Sequence, residues 1–236
     1  MVSGDPGVGY AAVARQLLGE PDEEQTLEKA VALTVDLVEA CEHAAITIVH
    51  RRHHLETAAA TDDLVRRGDQ LQYELNEGPC LDSLQEEQTT SSTDLAYEKR
   101  WPTWGPRVVE ELGVRSMLCF QLFTDSDSLG ALNMYSERVN AFDADSQAVG
   151  LTLAAQIAVA LHATRQSETQ AQSIVTRTVT GQAQGILMER YDLTSDRAFE
   201  FLRRVSQNTN TKLVDVASQL VRERTLPVIQ PNIVNG

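Results

Sequence analysis

Two periodicities divide this chain, and the point where one replaces the other most constrains its fold. Alternating, β-branched runs are confined to residues 45–136. From Asp143 onward they stop, and Val149, Leu153, Ile157, Ala160, Thr164, Ala171, Val175, Thr178, Gln182 and Ile186 recur at three- and four-residue spacing. That stripe predicts one helix well beyond the usual length of roughly 8–20 residues. Its seam turns small or polar between Ala163 and Thr180, which suits a helix paired with its counterpart in a second subunit better than one packed in a core. The expectation is a homodimer through the long helix, with Ile157 and Val175 in the shared seam.

Ahead of the stripe the pattern is mixed. The first nine residues, with three glycines and a proline, read as a loose tail. Leu27, Ala30, Val31, Thr34, Leu37, Val38 and Cys41 then keep helical spacing. The runs AITIVHRR and LETAAATDD, separated by polar residues, read as a strand pair, and SMLCFQLF and LGALNMYS as another joined by the acidic turn from Thr124 to Ser128. Helical segments are expected over 62–71, 80–85 and 107–112, with Thr89–Thr93 β-prone and RWPTWGP irregular. Strands flanked by helices make an α+β sheet domain. Behind the long helix, Thr194-Ser195 and Asn210-Thr211 read as N-caps of two short amphipathic helices, the second ended by Pro227. The predicted organisation is a tail or helix over 1–24, a sensor-like sheet domain over 25–165, a three-helix all-α module over 166–226 and a tail over 227–236.

Charge separates the same parts. The net charge is −14, but residues 1–165 hold 12 Lys+Arg against 27 Asp+Glu, whereas residues 166–236 hold 8 against 7. An asymmetry of this kind suggests different partners for the two parts. No run approaches the roughly 18 consecutive apolar residues of a membrane helix, and the N-terminus lacks the marks of a signal peptide, so a cytoplasmic protein with no membrane partner is expected. Three cysteines without a CxxC pair predict neither disulfides nor a structural zinc site. His50, His53 and His54 crowd one hairpin, but neighbouring strand positions face opposite ways, and no metal or cofactor is expected.

The segment 180–221 carries Gln182-Ala183, Gly185-Ile186-Leu187-Met188, Ala198-Phe199, Leu202-Arg203, Ser206-Gln207 and Lys212-Leu213 followed by Asp215-Val216-Ala217. It closely resembles the ANTAR domain, an RNA-binding output module of bacterial transcription antiterminators. Residues 25–165 resemble the GAF sensor domain through Glu77-Gly78-Pro79-Cys80, Arg100-Trp101-Pro102, Gly113-Val114, Ser116 and Gly130-Ala131-Leu132-Asn133. The order of the halves matches the GAF–ANTAR fusions of actinobacteria. That resemblance implies a GAF-like antiparallel sheet flanked by helices and joined to an ANTAR-like module. It also implies a non-enzymatic regulator that binds paired stem-loops overlapping a terminator, with a small-molecule ligand of unknown identity in the sensor. Two departures stand out: Gln184 where ANTAR modules usually have lysine, and Thr180 where isoleucine is common.

In the module, Ala183, Gly185, Ala198 and Ala217 are expected where helices approach closely, with Met188, Phe199, Leu202 and Leu213 filling the space between. Arg177, Gln184, Arg190, Arg203, Arg204 and Lys212 are the candidate RNA contacts, since guanidinium, ammonium and amide groups meet phosphates and unpaired base edges. In the sensor, Cys80 follows a proline at a helix start, where the dipole can favour thiolate. Trp101 and Trp104 either close over a small ligand or cap the core, and Cys80 and Trp101 are the candidate ligand contacts. Two rivals remain: a GAF-type, thiol-dependent methionine sulfoxide reductase built on Cys80, and an acidic protein-binding adaptor. No phosphate-cradling loop or hydrolase motif occurs.

Overall fold

The computed structural model describes residues 6–50, 54–86, 89–124 and 128–225. It divides into two compact units, Met1–Gln166 and Ser167–Gly236. Five strands form the sheet of the first unit: β1 (His43–His50), β2 (His54–Ala60), β3 (Thr90–Ser92), β4 (Ser116–Phe123) and β5 (Ser128–Ser136). They lie in the order β2-β1-β5-β4-β3, with every neighbouring pair antiparallel. Side-chain alternation gives each face its own core.

Ile46 and Ile48 of β1, Leu118, Phe120 and Leu122 of β4 and Leu132 and Met134 of β5 point to one face. Helices α1 (Pro6–Leu18), α2 (Glu23–Leu37) and the first part of α6 (Ala144–Tyr191) cover them. Asp22 caps α2 by accepting from the backbone N–H of Gln25 at 2.9 Å. Gly150 lets α6 lie directly on the sheet, since a Cβ there would come within 2.4 Å of the Phe120 ring and 2.8 Å of the Met134 methyl. Arg165 of α6 pairs with Glu23 of α2 at 2.5 Å. The opposite face carries Ala45, Met117, Cys119 and Tyr135, packed against α3 (Asp63–Leu75) and α5 (Trp104–Leu112). Helix α4 (Pro79–Glu86) brings Cys80 to the same side.

The second unit comprises the end of α6, α7 (Ser195–Thr209) and α8 (Leu213–Glu223). Its core is Ala183 and Leu187 of α6, Ala198, Leu202 and Val205 of α7, and Val216, Ala217 and Leu220 of α8. The three alanines are fully buried, as close helix approach requires.

The fold class expected from the sequence is the one observed, with several local corrections. The loose tail ends by Pro6, where α1 begins and supplies Val13 and Leu17 to the core. RWPTWGP is not irregular throughout, because α5 already starts at Trp104. Asn210 does not open α8. It closes α7 in the left-handed conformation (φ 50°), and Lys212 occupies the position before α8. Gly185 has open space around it, and Met188 and Phe199 are exposed rather than core-filling.

The seam needs the largest correction. Leu153, Ile157 and Ala160 are spent on the sheet domain of their own chain, and Ile157 is 1% exposed. Val175, 53% exposed, lies on a stretch of α6 whose Ala171, Ile174 and Thr178 are exposed as well. Helix α6 is long and apolar enough by length and composition to cross a membrane. In its apolar stretch Leu153, Ala154, Ile157, Ala158, Ala160 and Leu161 are core residues, whereas Leu151 and Val159 are exposed. The turn over 125–127, His53 and the tail with Pro227 lie outside the described residues.

Candidate functional site

The sensor face that looks toward α3 hides an ionisable group. Asp69 stands in the middle of α3, fully buried, and collects donors from three strands. Thr57 of β2 donates at 3.0 Å, Thr47 of β1 at 3.5 Å, Asn133 Nδ2 of β5 at 3.0 Å, and the Tyr135 hydroxyl of β5 donates to the same carboxylate. Gln72 Nε2 adds a longer bond of 3.3 Å. Burial drives the Asp69 pKa up to about 6, the hydrogen bonds opposing it. Thr47 and Thr57 also bond the Tyr73 hydroxyl, at 2.8 and 3.0 Å.

Cys80 borders this network. Its backbone N–H donates to Gln72 Oε1 at 2.9 Å and its thiol reaches Thr47 Oγ1 at 3.4 Å. Burial pushes the thiol up to about 12, the nearby Asp69 adding to it, so desolvation overrides the helix-start effect that favours thiolate. Trp101 is likewise interior: its indole N–H donates to Asp82 at 2.9 Å and its ring meets Trp104 edge-on at 5.8 Å. Glu77 accepts from the backbone N–H groups of Thr103 and Trp104 at 2.8 and 2.9 Å and so caps α5. The turn at 77–80 and the segment 100–104 are thus tied together by structural bonds. Of the hairpin histidines, His50 bonds Glu56 at 2.7 Å and its ring lies 6.1 Å from that of His54. Among the described residues no three His, Cys, Asp or Glu side chains gather as metal ligands do.

The six cationic and amide candidates of the second unit differ in what they already hold. Gln184 donates to the carbonyl and hydroxyl of Ser195 at 3.1 and 3.3 Å, tying α6 to the start of α7. Arg190 donates to the Arg224 carbonyl at 3.0 Å, and Arg203 pairs with Glu200 at 3.0 Å. Arg177, Arg204 and Lys212 are exposed and, among the described residues, have no carboxylate partner. The six do not share one face, since the consecutive Arg203 and Arg204 stand about 100° apart around α7. The sequence reading missed Arg197, exposed one turn before Phe201, and it missed Asp69, whose partners arrive from distant strands.

The family model of the GAF domain matches residues 20–162, and that of the ANTAR domain matches residues 169–221. The chain belongs to the GAF family and carries an ANTAR domain behind it. This GAF domain is similar in fold to that of the cyanobacteriochrome TePixJ, at TM-score 0.51 and 16% identity, covering 64% of this chain and 95% of that one. A GAF domain from an Acinetobacter phosphoenolpyruvate-protein phosphotransferase aligns at 0.51 and 12%, covering 69% and 96%. The bacteriophytochrome RpBphP3 from R. palustris aligns at 0.58 and 10%, covering 87% of this chain and 48% of that one. No curated protein matches the chain. The GAF–ANTAR architecture is that of a regulator, a sensor domain ahead of an RNA-binding antitermination domain.

Proposed function

We propose that this protein is a cytoplasmic, homodimeric regulator in which the GAF domain controls an ANTAR module that binds terminator-overlapping RNA hairpins. The observation that carries the reading is the ANTAR match over 169–221 together with Arg177, Arg204 and Lys212, which are exposed there and, among the described residues, have no carboxylate partner. Unpaired surface cations are what phosphate contacts require, and the sensor half, rich in carboxylates, offers no comparable surplus. For self-association the support is the exposed pair Ile174 and Val175 on α6. A thiol-based enzyme is disfavoured because Cys80 is buried and its thiol is held protonated. Crosslinking the protein to cellular RNA followed by sequencing tests the proposal. Enrichment of terminator-proximal hairpins in leader regions is expected, and recovery of no RNA above a control protein would overturn it.

A further inference from the structure

Resting on the RNA-binding reading, a second feature of the module says which part of an RNA it takes. The core of the three helices closes around Ala198, Leu202 and Val205 of α7, yet the rings of Tyr191, Phe199 and Phe201 are left exposed, and two of them meet. Phe201 of α7 is 40% exposed and Tyr191, at the end of α6, is 54% exposed. Their ring centroids lie 6.5 Å apart with the planes tilted by 33°, so they form one patch rather than two scattered residues.

One turn to either side of Phe201 the neighbours on its line of α7 are cationic. Along α7, Arg197, Phe201, Arg204 and Asn208 follow at spacings of four, three and four residues, which places them on one line of the helix surface, and all four are exposed. One guanidinium stands a turn before the Phe201 ring and another a turn after it. Among the described residues neither Arg197 nor Arg204 has a carboxylate within ion-pairing reach. Arg203, one residue along but on another side of the helix, is engaged by Glu200. The aromatic line therefore keeps its positive charge available while the adjacent line does not.

We propose that Tyr191 and Phe201 form a stacking platform for unpaired RNA bases, with Arg197 and Arg204 holding the phosphates on either side. Aromatic faces accept any base, because every base has a π-face, and arginines beside them follow the backbone. A paired stem hides its base faces inside the helix, so such a platform selects loop nucleotides over duplex. The Asn208 side chain, with an amide donor and an acceptor at the far end of the line, is placed to meet a base edge. A second copy of this chain is a poorer occupant, since packing two such patches together would bring four unpaired guanidinium groups into apolar contact.

The test uses the full-length protein and two probes: a stem-loop RNA whose adenosine-rich loop carries the fluorescent analogue aminopurine, and the loopless duplex of the same stem. The wild type should bind the stem-loop more tightly than the duplex and quench the aminopurine on binding. Phe201→Leu and Tyr191→Leu should each weaken stem-loop binding roughly tenfold and lose the quench, with duplex binding unchanged, as expected when one stacking partner is removed. Phe201→Trp should retain both affinity and quench, which separates stacking from folding. Arg204→Ala should weaken both probes and flatten the salt dependence. If the two leucine variants bind and quench like the wild type, the platform is refuted while the RNA reading stands. A wild type that binds neither probe would sink both. Leucine variants that lose self-association but keep their RNA affinity and quench would overturn the platform in favour of a subunit contact.

Discussion

The buried carboxylate of Asp69 makes a prediction whose sign is opposite to the usual behaviour of a hydrogen-bonded acid. Its folded pKa is raised from 3.8 to about 6, burial outweighing the hydrogen bonds. The protonated form is therefore favoured by folding, and the stability linked to it is fully present below the unfolded value and lost as pH rises through 6. Across that window, a shift of roughly two units corresponds to about 3 kcal/mol, of which about 1 kcal/mol falls between pH 5 and pH 7. Asp69→Asn removes the titration. The difference in unfolding free energy, wild type minus variant, should therefore grow by about 1 kcal/mol on going from pH 7 to pH 5, while every other titrating group cancels. Denaturant melts at pH 5, 6 and 7 give the measurement. The chain has two tryptophans, Trp101 and Trp104, both in the core beside this network, so their fluorescence reports sensor unfolding alone. A difference that stays constant across this range would refute the reasoning and mean that Asp69 keeps an ordinary pKa despite its burial.

Four further outcomes are expected. Thr180 is nearly buried and its hydroxyl has no hydrogen-bond partner among the described residues, so Thr180→Val should stabilise the second unit by about 1 kcal/mol, read in a melt followed by circular dichroism. Ile157→Ala should destabilise the sensor by roughly 2–5 kcal/mol without acting on an interface. Val175→Glu should leave the melts unchanged and shift sedimentation toward monomer, and a variant that sediments as the wild type would remove Val175 from any subunit contact. Arg204→Ala should lower the slope of log affinity against log salt by roughly one unit or less, and Arg203→Ala, whose guanidinium is already engaged by Glu200, should lower it less.

What the sequence displayed and what it concealed follow from the range of the interactions involved. SMLCFQLF and LGALNMYS read as strands because their patterns are local, and both became strands buried on two faces. The long helix was visible for the same reason. The start of α5 was not, because its cap comes from Glu77, 26 residues earlier for Thr103, and no local signal marks it. Helix α1 hid behind Gly7 and Gly9, residues that disfavour a helix until Val13 and Leu17 find the core. In the second unit, Arg203 and Arg204 looked equivalent as neighbours in sequence, and only the Glu200 contact separates them. Phe201 was not singled out in the sequence at all. Its phase relative to Ala198, Leu202 and Val205 was the available signal, since it falls at the edge of the buried face. Asp69 had no such signal, as RRGDQLQYEL reads as an ordinary exposed helix.

The polar cluster around that aspartate also bears on how the sheet finds its alignment. Thr47, Asn133 and Tyr135 converge on one carboxylate only because β1 and β5 pair Thr47 with Ala131 and Ala45 with Asn133. Slipping one strand by a single residue would turn its polar groups toward the aliphatic layer of α1, α2 and α6, and would leave the Asp69 carboxylate buried short of donors. A purely apolar face would tolerate such a slip at the cost of imperfect packing. Here the mispaired sheet would carry orphaned hydroxyl and amide groups as well, so the cluster acts as a proofreading device that penalises misaligned strands during folding.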